Sequence, residues 1–164
     1  DTVEFIMPQL KLSGVDVAFS MDETLPKVMG DGIRLEQVFL NLLTNARQAM
    51  EDSPHRRLAV RTRTEPDSEL PVVVEICDTG KGFAPEMAPR LFAPFYTTKH
   101  ARYGTGLGLS ISLSIIKDHQ GVINAAGAEG EGAAFTVRLP ALLHNGSTSL
   151  DHLPAHTEEA IPKI

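Results

Sequence analysis

Two asparagines four residues apart, in the middle of a helix-forming stretch, carry the first chemical signal. The stretch is Asp31 to Met50, DGIRLEQVFLNLLTNARQAM, and the pair is Asn41 and Asn45. Asparagine competes with the backbone for hydrogen bonds, so two of them in a helix interior call for a reason. A solvated helix edge is one reason. The other is that an amide oxygen is a hard, neutral ligand, able to complete the octahedron of a Mg²⁺ whose charge a triphosphate already balances.

Two glycine clusters extend that reading. In Asp78-Thr79-Gly80-Lys81-Gly82 an acid stands where an apolar run gives way to a loop. A carboxylate there matches the exocyclic amine of adenine, and Gly80 and Gly82 permit close approach of a flat base. A turn capped by aspartate would use the same residues. Gly104-Thr105-Gly106-Leu107-Gly108 opens a helical stretch. Free N–H groups at a helix start, with glycines beside them, suit a phosphate, although the spacing is neither the dinucleotide fingerprint nor a Walker loop. A hinge is the alternative. Between the clusters runs Leu91-Phe92-Ala93-Pro94-Phe95-Tyr96-Thr97-Thr98-Lys99. Phe92 and Phe95 are expected to clasp this loop onto the domain, and Lys99 to meet either a phosphate or solvent. The segment Phe92 to Tyr103 is expected to be a lid that orders on nucleotide.

The elements that must position these residues follow from periodicity. Asp31 is a good N-cap, and at about 100° per residue Leu35, Val38, Phe39, Leu42, Leu43, Ala46, Ala49 and Met50 form one apolar arc. Arg34, Gln37, Asn41, Asn45 and Gln48 lie within roughly 80° of one another beside it. Helices are also expected over Thr2 to Leu12 and Leu107 to His119, with a short helical piece at Glu86 to Leu91. Strands are expected at Val15 to Met21, Leu58 to Thr64, Val72 to Asp78, Gly121 to Ala126 and Ala134 to Leu139. The fold class is therefore α/β: a two-layer α/β sandwich in which a mixed, mostly antiparallel sheet of about five hairpin-linked strands packs against three helices. Residues 1–140 form the domain, and 141–164, rich in Ser, Thr, His, Glu and Pro, are expected to be a disordered tail.

Composition narrows the function. A hydrophobic content of 42% supports a real core, and a net charge of -6 disfavours nucleic acid, which demands a basic face. Cys77, the single cysteine, excludes an internal disulfide and is expected to be buried packing. No stretch is long and apolar enough to span a bilayer, which gives a cytoplasmic expectation without direct membrane contact. Of the six histidines, His119 reads as a favourable cation at a helix C-terminus.

Taken in order, these boxes resemble the catalytic ATP-binding domain of sensor histidine kinases, a branch of the Bergerat-fold ATPases, with wording similar to the nitrogen-regulation type. The resemblance rests on Asn41-Leu-Leu-Thr-Asn45-Ala, Asp78-Thr-Gly80-Lys-Gly82, Phe92-Ala-Pro-Phe95 and Gly104-Thr-Gly106-Leu-Gly108-Leu, and covers about residues 1–140. It implies ATP and Mg²⁺ as cofactors. Asn45 would ligate the metal and Asn41 would support it or its water, with Asn41 and Lys99 as the catalytic pair. Asp78 would hold the adenine amine. Gly80, Gly82, Thr98, Lys99, Gly104, Thr105, Gly106, Leu107 and Gly108 would complete the nucleotide site.

The implied partner is a phosphoacceptor histidine hairpin of the parent kinase, and through it a response regulator, with the isolated domain a monomer. Any membrane anchor would belong to the parent. The family usually reads Gly-x-Gly-Thr before the last strand, where this chain has Gly130-Glu-Gly132-Ala133 and so lacks a hydroxyl. Two other readings use the same residues: an ATP-dependent interaction module without phosphotransfer, and a serine kinase of the anti-sigma type. The latter usually carries Glu at the place of Asn41.

Overall fold

The computed structural model describes residues 2–96 and 106–142. Helix α2, Gly32–Ala49, is the longest element. Asp31 caps it as expected, its carboxylate accepting from the N–H groups of Ile33 at 2.9 Å and Arg34 at 3.2 Å. Val38, Leu42, Leu43, Ala46 and the C-capping Met50 are buried, so the apolar arc faces the core. Helix α1, Thr2–Leu12, buries Ile6 and Leu10 despite an internal Pro8. It runs alongside α2. The Thr2 hydroxyl meets Glu36 at 3.3 Å near one end, and Arg47 meets Ser13 at 3.5 Å near the other.

Five strands, β1 Asp16–Ser20, β2 Arg57–Thr64, β3 Val72–Asp78, β4 Val122–Ala128 and β5 Gly132–Leu139, form one sheet in the order β1-β2-β3-β5-β4. β1 and β2 are parallel and the other pairs antiparallel, which gives the expected mixed sheet. Hairpin linkage holds only for β2–β3 and β4–β5. The parallel pair needs a crossover, which α2 supplies, and helix α3, Gly108–Asp118, intervenes between β3 and β4. The short helical piece is a 3-10 turn at Pro85–Arg90.

The core lies between the helices and one sheet face, where Leu58, Val60, Ile76, Ile123, Phe135 and Val137 meet Leu42, Met50, Ile115 and Ile116. On the opposite face Arg63 pairs with Glu65 at 2.8 Å and Glu75 at 2.6 Å, while Arg138 also grips Glu65. Arg138 first, then Arg63, holds the Glu65 carboxyl below its usual range. Val73, the register neighbour of Arg63 and Arg138, is fully buried on this face. Cys77 also lies here, between Ala59 and Ala134, and is only partly buried, because strand alternation turns it away from the helices. That burial still pushes its thiol pKa up, which disfavours the nucleophilic thiolate.

Candidate functional site

β3 delivers Asp78 to the helix-facing side of the sheet at the end of the strand, where it is 6% exposed. Burial raises its pKa, against the N–H groups of Gly80 and Ala133, whose hydrogen bonds lower it. The Gly80 bond is 2.8 Å long. An ionised carboxylate has about four acceptor positions, so two backbone donors leave capacity for an amine.

Close backbone approach is what the neighbouring glycines allow, and in the structure it is to protein. A side chain on Gly80 would meet the Ala49 carbonyl oxygen at 2.6 Å, at the end of α2. The same oxygen accepts from Lys81 N at 3.0 Å. Gly82 has φ +62°, and a side chain there would overlap the Ala128 carbonyl. The Asp78 loop is thus pinned between α2 and the β4–β5 turn. Thr79 adds a further tie, its hydroxyl donating to the His55 carbonyl at 2.7 Å and accepting from Arg57 N at 2.9 Å. Gly132, at φ +99°, packs against the Asp78 carbonyl, and Ala133 is the register partner of Asp78.

The polar stripe of α2 faces α3, and the two helices run antiparallel. Arg34 pairs with Asp118 at 2.7 Å, and Asn41 Nδ2 donates to Ser112 Oγ at 2.9 Å. At Gly108 a side chain would overlap Asn41 Oδ1 and approach Asn41 Nδ2 to 3.0 Å, so glycine makes room for the whole amide. Asn45 is half-buried one turn further along α2 and is itself engaged. At the start of α3 the N-cap is Leu107, whose side chain makes no capping hydrogen bond and which is itself engaged.

Gly106, at φ +67°, lies against Phe95, whose backbone a side chain on Gly106 would meet at 2.6 Å. Phe95 has φ 63° and is 74% exposed, so only half of the expected clasp holds. With its backbone fixed against Gly106, the Phe95 ring stands in solvent. Of the two rings it is Phe92 that packs onto the domain, edge-on to Phe135 of β5 with centroids 6.5 Å apart, with Leu91 beside it against the core. Thr98, Lys99, Gly104 and Thr105, and with them most of the expected lid and the tail beyond 142, fall outside the described residues.

His119 departs from expectation. It is 8% exposed, Nε2 accepts from Asp31 N at 3.0 Å, and Nδ1 lies 2.7 Å from the Ile115 carbonyl. A backbone N–H can only donate and a carbonyl can only accept, so these partners specify the neutral ring with its proton on Nδ1 rather than a cation. Gly30 packs directly on the ring. Sequence reasoning missed this latch and missed Ser112. The Gly30-Asp31-Gly32 turn was the available signal for the first. A serine at helical spacing four residues after Gly108 was the signal for the second.

Among the described residues no group of three or more His, Cys, Asp or Glu side chains could hold a metal ion. Nor is any described helix long and apolar enough to cross a membrane.

Comparison with known proteins agrees with this geometry. The family described as "Histidine kinase-, DNA gyrase B-, and HSP90-like ATPase" matches residues 30–143. The sensor histidine kinase ZraS of Escherichia coli O157:H7 is 40% identical over 126 residues, 77% of this chain and 26% of the kinase. The catalytic domain of histidine kinase ThkA superposes with a TM-score of 0.71 at 30% identity, covering 85% of this chain and 89% of that one. Full-length ShkA, solved with AMPPNP, gives 0.74 at 28% identity over 85% of this chain and 28% of its own. The chain spans about a quarter of the length of the curated kinases that it matches. It belongs to the histidine kinase-, gyrase B- and HSP90-like ATPase family, as an ATP-binding catalytic domain of the sensor histidine kinase type.

Proposed function

We propose that this domain binds Mg·ATP and holds it for transfer of the γ-phosphoryl group to a histidine on a separate helical hairpin of its parent kinase, which in turn serves a response regulator. The observation that carries the proposal is the joint placement of Asp78 and Asn41. A buried acid with spare acceptor capacity ends β3, and the loop that follows it is tied to the end of α2. On the same helix, Asn41 lays its amide against the first two turns of α3, at Gly108 and Ser112.

The donor set fits a Mg²⁺ that arrives with its nucleotide. Asn41 commits its nitrogen to Ser112, leaving its oxygen in the gap at Gly108. An amide oxygen is a hard neutral ligand, suited to an ion already neutralised by phosphates. Asn41 and Asn45 would hold the metal, whose contribution when bound is to neutralise charge on the phosphate oxygens. Asp78 accepts the adenine amine and so sets base identity. Gly106, Leu107 and Gly108 offer backbone N–H groups to the phosphates at the helix start. Lys99, Thr98, Gly104 and Thr105 complete this phosphate side, and the domain works in the cytoplasm as a monomer.

Chemistry in such a site is positioning plus electrostatic stabilisation. No carboxylate stands at position 41 to take a proton from water, so hydrolysis is slow and the nucleotide survives until a histidine arrives. A neutral imidazole nitrogen is already nucleophilic.

Calorimetric titration with Mg·ATP and Mg·GTP tests the base assignment. Guanine presents a carbonyl where adenine presents the amine, so ATP is expected to bind at least tenfold more tightly. Equal affinities would overturn it.

A further inference from the structure

We infer that Ser112 is a positioning residue for the Mg·ATP site: it anchors the Asn41 amide by its nitrogen and so holds that side chain in place beside the nucleotide. The inference rests on the proposed Mg·ATP reading and adds to it a residue that never touches the nucleotide. Ser112 is 1% exposed, a hydroxyl on the face of α3 that also buries Ile115 and Ile116. A buried hydroxyl without a partner is costly, and the partner here is Asn41 Nδ2 at 2.9 Å.

Gly108 and Ser112 are spaced i, i+4, so they stack on one side of α3. Together they form a cradle shaped for an amide. The missing side chain at Gly108 takes the oxygen, since a side chain there would overlap Asn41 Oδ1, and the hydroxyl one turn later takes the nitrogen. The two ends of an amide are opposite in chemistry: only the oxygen can ligate a cation, and a reversed amide would present two N–H donors to it. Removing the hydroxyl leaves the nitrogen without its partner and releases the side chain from the cradle. Ser112 therefore acts through Asn41 and on the metal, not on the base or on the fold as a whole.

The test is calorimetry of ATP binding to wild type, Ser112→Ala, Asn41→Ala and the double variant, each with excess Mg²⁺ and each in chelator. The side-chain amide resonances of Asn41 in nucleotide-free wild type and Ser112→Ala are recorded alongside. The expected result is that Ser112→Ala weakens Mg·ATP about tenfold while changing metal-free ATP less than twofold. The loss should vanish in the Asn41→Ala background, and the Asn41 side-chain protons should exchange faster without the serine. Ser112→Cys, which keeps the volume, substitutes if the alanine variant does not fold. Equal loss of metal-free and Mg²⁺-bound affinity, or an undiminished effect in the Asn41→Ala background, would reduce Ser112 to a packing residue and overturn the inference. Absence of Mg²⁺-dependent binding by wild type would instead overturn the Mg·ATP reading beneath it.

Discussion

The imidazole of His119 accepts the backbone N–H of Asp31 at 3.0 Å, joining the residue that ends α3 to the residue that begins α2. The Asp31 side chain caps α2 while its own amide is satisfied by the other helix, so one residue fixes the local and the tertiary geometry together. His119→Ala strands that amide and the space around Gly30. A loss of about 1–3 kcal/mol in urea unfolding is expected. A change under about 0.5 kcal/mol, the scale of ordinary surface substitutions, would show the latch to be inert.

Gly108→Ala should be harmful for a specific reason: its methyl group would overlap Asn41 Oδ1. Overpacking of this kind costs about 1–3 kcal/mol. Because the obstacle is the amide itself, Asn41→Ala should recover most of that stability in the double variant. Thermal unfolding of the four proteins in the cycle checks it, and additive losses would place the clash elsewhere.

The two phenylalanines of the Phe92-Ala-Pro-Phe95 box should behave differently. Phe92 packs edge-on against Phe135, so Phe92→Ala is expected to cost about 2–3 kcal/mol. Phe95 is 74% exposed, and Phe95→Ala should fall within about 0.5 kcal/mol of wild type. Denaturant midpoints of the two variants decide it, and a large loss at Phe95 would restore the two-ring clasp.

Asp78 should link pH to stability and to binding with opposite signs. Its folded pKa is raised, chiefly by burial, above the unfolded value of about 4, so the folded chain holds this proton more tightly than the unfolded chain. Its stabilising contribution is fully present below the unfolded value and is lost as pH rises through the folded one. Glu65, whose folded pKa is lowered, contributes with the reverse sign. An adenine amine needs the ionised acceptor, so ATP affinity should fall as pH drops through the raised Asp78 value. Comparing thermal midpoints and ATP affinities of wild type and Asp78→Asn across pH isolates both effects. Parallel pH profiles in the two proteins would remove Asp78 from the base site.

Much of this fold was legible because its signals are local. Asp31 followed by an apolar arc fixes α2, the short apolar run Val72–Asp78 fixes β3, and alternation in Ala134–Leu139 fixes most of β5. What periodicity could not supply was partnership. Phe19 alternates correctly with Val17, yet it is 42% exposed on an edge strand, because strand order is a tertiary property. The Asn41–Ser112 pair was half legible: two helix-interior asparagines announced a purpose, but the serine that holds one of them is 71 residues away. His119 misled for the same reason. Its position at a helix end suggested a charge, and only the distant Asp31 amide shows that the ring must accept.

The central claim is that a bound ATP is kept for a histidine rather than spent on water, and γ-labelled ATP measures it directly. The domain is incubated with Mg²⁺ and labelled ATP, with and without the histidine hairpin of its parent kinase, and both released phosphate and labelled hairpin are followed in time. The expected result is turnover without the hairpin far below the roughly 10 s⁻¹ typical of enzymes, together with acid-labile label on the hairpin histidine that is lost in Asp78→Asn. Rapid phosphate release without the hairpin would contradict the account. So would an unlabelled hairpin despite tight Mg·ATP binding, which would make this domain an ATP-dependent interaction module.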